Sequence, residues 1–220
     1  MFELVHFFRK DFNVPVILKN VGLEEVAGLK NYGFSEYTSD EFWNEDCKYD
    51  DQTFPQRIFK IEDLLALKGH KYASLRRKLR RCVDIETRLY SNEHDFKYVR
   101  QLLQKQDEHM AGEVYASQRL FLSLPQTENT TSLVFLYNTR IVGFSLLDRI
   151  SSKCAGLNGL IYDSSIRELS AHIVFESVSS AFTSGYSYIN LQGSEYPGLD
   201  FWKRMFNPEI SIEKIHLIYR

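Results

Sequence analysis

Positive charge is concentrated in one stretch of this chain. Between Asp63 and Asp84 stand seven basic residues, Lys68, Lys71, Arg76, Arg77, Lys78, Arg80 and Arg81, and no acidic one. Lysine offers a phosphate a point charge and arginine a two-pronged donor set, so the run suits a phosphorylated ligand or a polyanion; a solvated helix face is its other reading. A second group lies at 190–196, where Asn190, Gln192, Ser194, Glu195 and Tyr196 bring amides, a hydroxyl, a carboxylate and a phenol to the end of one apolar segment. Amides and hydroxyls orient a substrate, and the carboxylate and phenol can move protons. The same residues would also cap a strand-to-helix turn. The six histidines form no His-x-x-x-His or Glu-x-x-His pair with a carboxylate in ligand register, and no Gly-x-Ser-x-Gly elbow is present, so metal hydrolysis and Ser-His-Asp chemistry are not expected.

Recognisable elements must hold these groups. Residues 14–19 read as a short buried strand, and Leu23, Val26, Ala27 and Lys30 follow with helical spacing up to Gly33. Residues 36–53 are acidic and aromatic and read as an extended connector or edge strand ending at Phe54-Pro55. A short helix over 61–67 closes at Gly69. The next helix places Tyr72, Leu75, Leu79 and Cys82 on one face and the basic residues on the other. Residues 83–90 alternate as a strand, Ser91-Asn92 caps a helix, and Phe96, Val99, Leu102, Leu103 and Met110 give that helix a buried stripe ending at Gly112. Apolar runs at 132–137 and 141–150 flank the turn Asn138-Thr139-Arg140, and a third at 155–162 completes an antiparallel meander. A helix over 166–184, stopped by Gly185, leads to the strand 188–191. A strand, a crossover helix and a strand make a parallel pair. A short helix over 198–205 and a strand over 212–219 finish the chain.

The composition sets limits. The chain has 220 residues, 44% hydrophobic and 25% charged, with five Pro and eleven Gly, which excludes collagen and low-complexity disorder and leaves a real core available. A net charge of −2 produces no global attraction to nucleic acid or membrane, so such affinity must be local. Cys47, Cys82 and Cys154 are far apart and form no zinc-ribbon, redox or disulfide pattern. No signal-peptide pattern and no apolar run near the ~18 residues of a membrane span is found, so a cytoplasmic protein without an integral membrane segment is expected.

The order helix, helix, strand, helix, then β-β-β-α-β-α-β is similar to that of the GNAT acyltransferase fold. Leu67-Lys68-Gly69-His70-Lys71-Tyr72 with Arg76 and Leu79 resembles the L-x-G-x-K-Y-x-x-x-R-x-x-L signature of the C-terminal catalytic domain of phosphatidylglycerol lysyltransferases and their soluble relatives. Asn190 through Gly198-Leu199 to Lys203 and Phe206-Asn207-Pro208 resembles that family's ending. The resemblance implies an α/β (α+β) fold over residues 55–220, with a mainly antiparallel mixed sheet, a splayed parallel strand pair and flanking helices. It makes 1–54 a remnant of a first GNAT lobe, whose uncovered strand edge would favour a homodimer.

What it implies for function is acyl or aminoacyl transfer to a small amine or hydroxyl acceptor, with acyl-CoA or aminoacyl-tRNA as donor. In that fold the reaction takes place where the parallel strands splay. Glu195 is then the base, Tyr196 the acid and Asp163 a second candidate base, while Asn190, Gln192 and Ser194 hold the substrate. Coenzyme A would lie at Arg167, Ser170 and Ala171, although Ser170 and His172 stand where the pattern has Gly and Gly or Ala. A tRNA or phosphorylated donor would lie on Lys71, Arg76, Arg77 and Arg80. The alternative is a non-catalytic module of the same fold that binds a phosphorylated ligand, nucleic acid or protein.

Overall fold

The computed structural model describes residues 16–36, 54–82, 84–107, 127–194, 197–212 and 214–219. They fall into two compact units. The larger is Arg57–Gln192 with Phe201–Ile210, and the smaller comprises the remainder.

Among the described residues, ten strands and six α-helices run in the order β1 (Val16–Gly22), α1 (Leu23–Asn31), β2 (Ser35–Glu36), β3 (Gln56–Lys60), α2 (Ile61–Ala66), α3 (Ala73–Leu79), β4 (Ile85–Leu89), α4 (Asn92–Asp107), β5 (Thr130–Tyr137), β6 (Arg140–Arg149), β7 (Cys154–Tyr162), α5 (Leu169–Thr183), β8 (Tyr188–Asn190), α6 (Pro197–Arg204), β9 (Ile210–Ile212) and β10 (Lys214–Tyr219). A 3₁₀ turn over His70–Tyr72 precedes α3. One sheet has the order β4-β5-β6-β7-β8-β3-β9, and the other is β1-β10-β2. The meander is as expected: β5 pairs antiparallel with β6 and β6 with β7. The hairpin between β5 and β6 turns on Asn138 and Thr139, both at positive φ, the two-residue geometry whose twist matches the strands it joins. The crossover helix α5 ends before Gly185 at φ 87°, a backbone angle that glycine adopts without steric cost. It returns the chain to β8, which pairs parallel with β7 at Cys154↔Tyr188, Ala155↔Ile189 and Gly156↔Asn190.

The two faces of the large sheet bury different helices. Ala171, Val174, Val178 and Ala181 of α5 pack with Leu147, Ala155, Leu157, Ile189 and Leu191, and further along the sheet Leu169 and Ile173 meet Leu133, Phe135 and Val142. Val99, Leu102 and Leu103 of α4 pack with Val134, Phe144, Leu146 and Ile161. Burying each of the Val, Leu, Ile and Phe side chains stabilises by about 2 kcal/mol, more than helix propensity supplies, so the strands' alternation determines where the helices dock. Within the large sheet, β3 is one strand that the sequence pattern hid, the short β9 before the expected closing strand being another. The expected connector stops at Phe54-Pro55 and the expected helix starts at Ile61, yet 56–60 lie between as a ladder on β8, Ile58 opposite Asn190 and Phe59 opposite Ile189. Its buried residues include Gln56 and Arg57, so an apolar period does not reveal it.

In the smaller unit, β1 pairs antiparallel with β10 of its own chain, Val16 opposite Tyr219 and Leu18 opposite Leu217. Val21, Leu29, Phe34 and Leu217 form its core. The expected strand at 14–19 is thus realised as 16–22, paired within the chain; its first two residues, the connector at 37–53 and the helix stop at 110–112 lie outside the described residues.

One ion pair anchors α4. Arg88 on β4 holds Asp95 with two parallel hydrogen bonds of 2.7 Å, and Asp95 also accepts the Ser91 N–H at 2.8 Å. Asp95 is 2% exposed. The Arg88 hydrogen bonds hold its carboxyl below the usual value of 3.8. A carboxylate lowered in this way stabilises the fold above 3.8, and that contribution is lost as the pH falls through its folded value. Arg88→Met should therefore cost about 2 kcal/mol at pH 7, read from urea melts, with the difference closing under acid conditions.

Candidate functional site

β7 and β8 separate after Gly156 and Asn190, and polar side chains gather at that point. Leu146 of β6 pairs with Gly159 and Leu147 with Leu157, which leaves Asn158 as the extra residue of a β-bulge. Bulges re-aim side chains, and this one lets Asn158 Oδ1 accept a 2.6 Å hydrogen bond from Gln192 Nε2 across the opening. Gln192 has φ 62°, and its N–H donates to Asn190 Oδ1 at 2.8 Å. Its carbonyl accepts from Lys203 Nζ at 3.4 Å, a lysine of α6 that is 6% exposed. The Asn158 side chain also hydrogen-bonds Asp148, whose carboxyl burial pushes above its usual value. Asp148 Oδ1 is buried and has no hydrogen-bond partner. A Cβ built on Gly156 would lie 2.8 Å from Asp148 Oδ1, 2.9 Å from Ile150 Cδ1 and 3.1 Å from Gln192 Nε2. Glycine at 156 therefore lets the Asp148 carboxylate, Ile150 and the Gln192 amide pack closely over the strand. Cys154, in the same neighbourhood, has its thiol pushed up by burial and by Asp148, which disfavours the thiolate.

Asn190 and Gln192 thus lie at the opening. Ser194 belongs to the smaller unit, pairs with Phe54 in an antiparallel bridge and keeps a buried hydroxyl without a partner. Glu195 and Tyr196 lie outside the described residues. Asp163 sits at the far end of β7, where it accepts from Ser165 Oγ at 2.5 Å, Ser165 N at 3.1 Å and Arg140 Nη2 at 2.8 Å. Those bonds, with Ser165 foremost, lower its carboxyl, so it is weakly basic at neutral pH. Asp148 did not stand out in the sequence reading. The signal was a lone carboxylate closing the apolar run of β6, and it resembles the polar end that any strand can have.

The start of α5 tests the coenzyme A cradle. A diphosphate there needs unspent N–H groups and glycine-sized approach. The Leu169 N–H donates to Ile166 O, and the Ala171 and His172 N–H groups both donate to Glu168 O. Ser170 is half-buried and Arg167 exposed. Glu168, in the left-handed region at φ 64°, holds its own carboxylate there, 2.5 Å from Lys78, 3.7 Å from Arg167 and 3.8 Å from Arg81. These residues do not fit the diphosphate of coenzyme A.

The basic run divides by partner. Arg76 Nη1 donates to the carbonyls of Leu67 and Gly69 and so secures the loop of the Leu-x-Gly-x-Lys-Tyr motif. Lys71 is 3.9 Å from Asp63 and lies over the ring of Tyr72, which is itself buried and hydrogen-bonded to Asn207. Arg77, Arg80 and Arg81 instead line a groove of about 550 Å³ with Ala73 and Ser74.

No protein-family model matches the sequence, and no curated protein matches it either. Solved structures do. The C-terminal domain of a protein assigned as a lysylphosphatidylglycerol synthetase from Agrobacterium fabrum superposes with a TM-score of 0.70 at 12% identity, over all of this chain and 72% of that one. L-PGS from Bacillus licheniformis gives 0.69 at 14%, again over all of this chain and 72% of that one. A GCN5-related N-acetyltransferase from Kribbella flavida gives 0.55 at 16%, over 93% and 67%. The chain has the GNAT-like fold. In that fold's terms β7 and β8 are the splayed pair and α5 the crossover helix. Among the described residues no helix is long and apolar enough to cross a membrane.

Asp148 sets a stability test. A carboxyl raised by burial costs nothing while protonated. Its cost appears as the pH climbs from the ordinary 3.8 through the raised folded value and stays constant above it, with Cys154 the titratable neighbour coupled to it. Asp148→Asn is therefore expected to raise the melting temperature at pH 7, with the gain shrinking as the pH is lowered toward 4.

Proposed function

We propose that this protein transfers an acyl or aminoacyl group directly to a small amine or hydroxyl acceptor at the opening between β7 and β8. The observation that supports it is the polar cluster of Asp148, Asn158, Asn190 and Gln192 at the separation of the parallel pair β7–β8, in a fold shared with structures named as a lysylphosphatidylglycerol synthetase and an N-acetyltransferase. Direct transfer needs groups that orient the acceptor, a group that takes its proton and a donor held with its carbonyl in reach. Asn190 and Gln192 are rigid, hydrogen-bonded orienting groups, and Glu195 and Tyr196 follow in the chain as the expected base and acid.

The donor in this reading is anionic and reaches the Arg77–Arg80–Arg81 groove, because at the start of α5 the Leu169 and Ala171 N–H groups are already donated within the chain and the Glu168 carboxylate stands beside them. Aminoacyl-tRNA meets that requirement. The same spent N–H groups favour the competing reading, a GNAT-like module that binds a phosphorylated ligand without turnover. An acyl- and aminoacyl-transfer assay separates the two: product formation supports the enzyme, and binding without product supports the module.

Arg77→Glu with Arg80→Glu should weaken aminoacyl-tRNA binding and reduce the slope of log K against log salt by roughly one per lost phosphate contact. The melting temperature should hardly move, since exposed charges contribute a few tenths of a kcal/mol. Unchanged binding in the double variant would remove the groove from the donor site.

A further inference from the structure

We propose that the outer edge of β4 pairs with the same edge of a second copy of this chain, antiparallel about a twofold axis through Thr87. The contact shares no residue with the opening between β7 and β8, so it stands independently of the transferase reading.

The two edges of the large sheet are not alike. At one end, β9 has three residues and comes just after Pro208-Glu209, the short and proline-marked form in which natural edges are kept from pairing. At the other, β4 has five residues in unbroken register with β5 and contains no Pro and no Lys. Leu89 at its end is 68% exposed.

Hydrogen-bond phase decides which groups face outward. The Tyr90 N–H donates to Ser132 O at 2.9 Å, and antiparallel pairs alternate, so Arg88 and Glu86 turn their N–H and C=O groups toward β5. Ile85, Thr87 and Leu89 therefore present theirs at the open edge. Among the described residues no further strand takes them up. Leu89 O accepts from Arg88 Nη1 at 3.0 Å, which brings the guanidinium to this rim and leaves the oxygen a second lone pair.

A second copy is the occupant because the strand is complementary to itself. Reversed about Thr87, Ile85 meets Leu89, Thr87 meets Thr87, and Glu86 meets Arg88 of the second copy. The two Thr87 residues exchange N–H and C=O, and each Leu89 N–H donates to Ile85 O across the axis. Glu86 and Arg88 then form the non-hydrogen-bonded pair, in which facing side chains come closest and opposite charges are favourable. Both lie on the face where Arg88 holds Asp95, so the arriving carboxylate meets a guanidinium already fixed in place. The neighbouring registers, centred on Glu86 or on Arg88, would oppose like charges.

Five residues span ~17 Å, so the dimer should be weak and is sought from about 10 µM to about 1 mM. In sedimentation equilibrium the mass should rise with concentration from 25.8 kDa toward twice that value. Over the same range, residue-resolved amide exchange should slow at Ile85, Thr87 and Leu89 but not at Glu86 and Arg88, which β5 already protects. Glu86→Arg, an exposed change that sets like charges against each other, should raise the dissociation constant about tenfold or more with little change in melting temperature. Thr87→Pro removes an outward N–H while leaving the β5 ladder its donors, and should abolish the dimer in a protein that keeps its circular dichroism. A mass that stays at 25.8 kDa over the whole range overturns the proposal. So does an unchanged dissociation constant in Glu86→Arg. A dimer that leaves the three amides exchanging as in the monomer has its contact elsewhere, and amides already protected in the monomer are covered by the chain itself; either result overturns the pairing.

Discussion

The function proposed for this molecule depends on how briefly two strands stay together. The parallel ladder of β7 and β8 has three registered pairs and then ends, because β7 gains a residue at Asn158 while β8 turns through the left-handed Gln192. A parallel pair that continued would satisfy its own backbone groups and leave no opening. Here the side chains of Asn158 and Gln192 bridge the strands where the main chain no longer does. Helix α5 enforces the arrangement by burying Val174, Val178 and Ala181 against residues of both strands, which holds them to a common floor even as their ends diverge.

Charge is distributed with the same economy. Glu168 gathers Lys78, Arg81 and Arg167 at the start of α5, and Arg76 is committed to loop carbonyls. Of a run that looks uniform, a subset of arginines is thus directed to a groove, while the rest ties α3 to its surroundings. Buried or partly buried pairs of this type act more through geometry than through net stabilisation, since desolvation offsets much of the attraction.

The meander, the crossover helix and the parallel pair were legible because their signals are strong: long apolar runs, a turn at Asn138 and a stop at Gly185. β3 was not, because its five residues include two buried polar ones and its partner β8 is remote in sequence. At the site, Asn190 and Gln192 were legible as polar residues ending an apolar strand. Asp148 was not: a carboxylate beside Arg149 reads as a strand emerging into solvent, and only the approach of Gly156 and the bulged Asn158 from the next strand encloses it. Nor did spacing foretell the division of the basic run, since the partners of Arg76 and Lys78 are set by a loop and by a helix ninety residues on.

The bulge at Asn158 also gives β7 two incompatible facing rules. Before it, Ala155 and Leu157 face α5; after it, Ile161 faces α4 and Leu160 packs with the α5 side. The strand therefore behaves as two half-strands joined out of phase. Loss of the single residue between them would not merely remove an amide. It would shift the frame of one half against the other, turning Ile161 away from Leu103 and Phe144, so the core on the α4 face and the opening beside β8 are bound to the same one-residue insertion and cannot be altered separately.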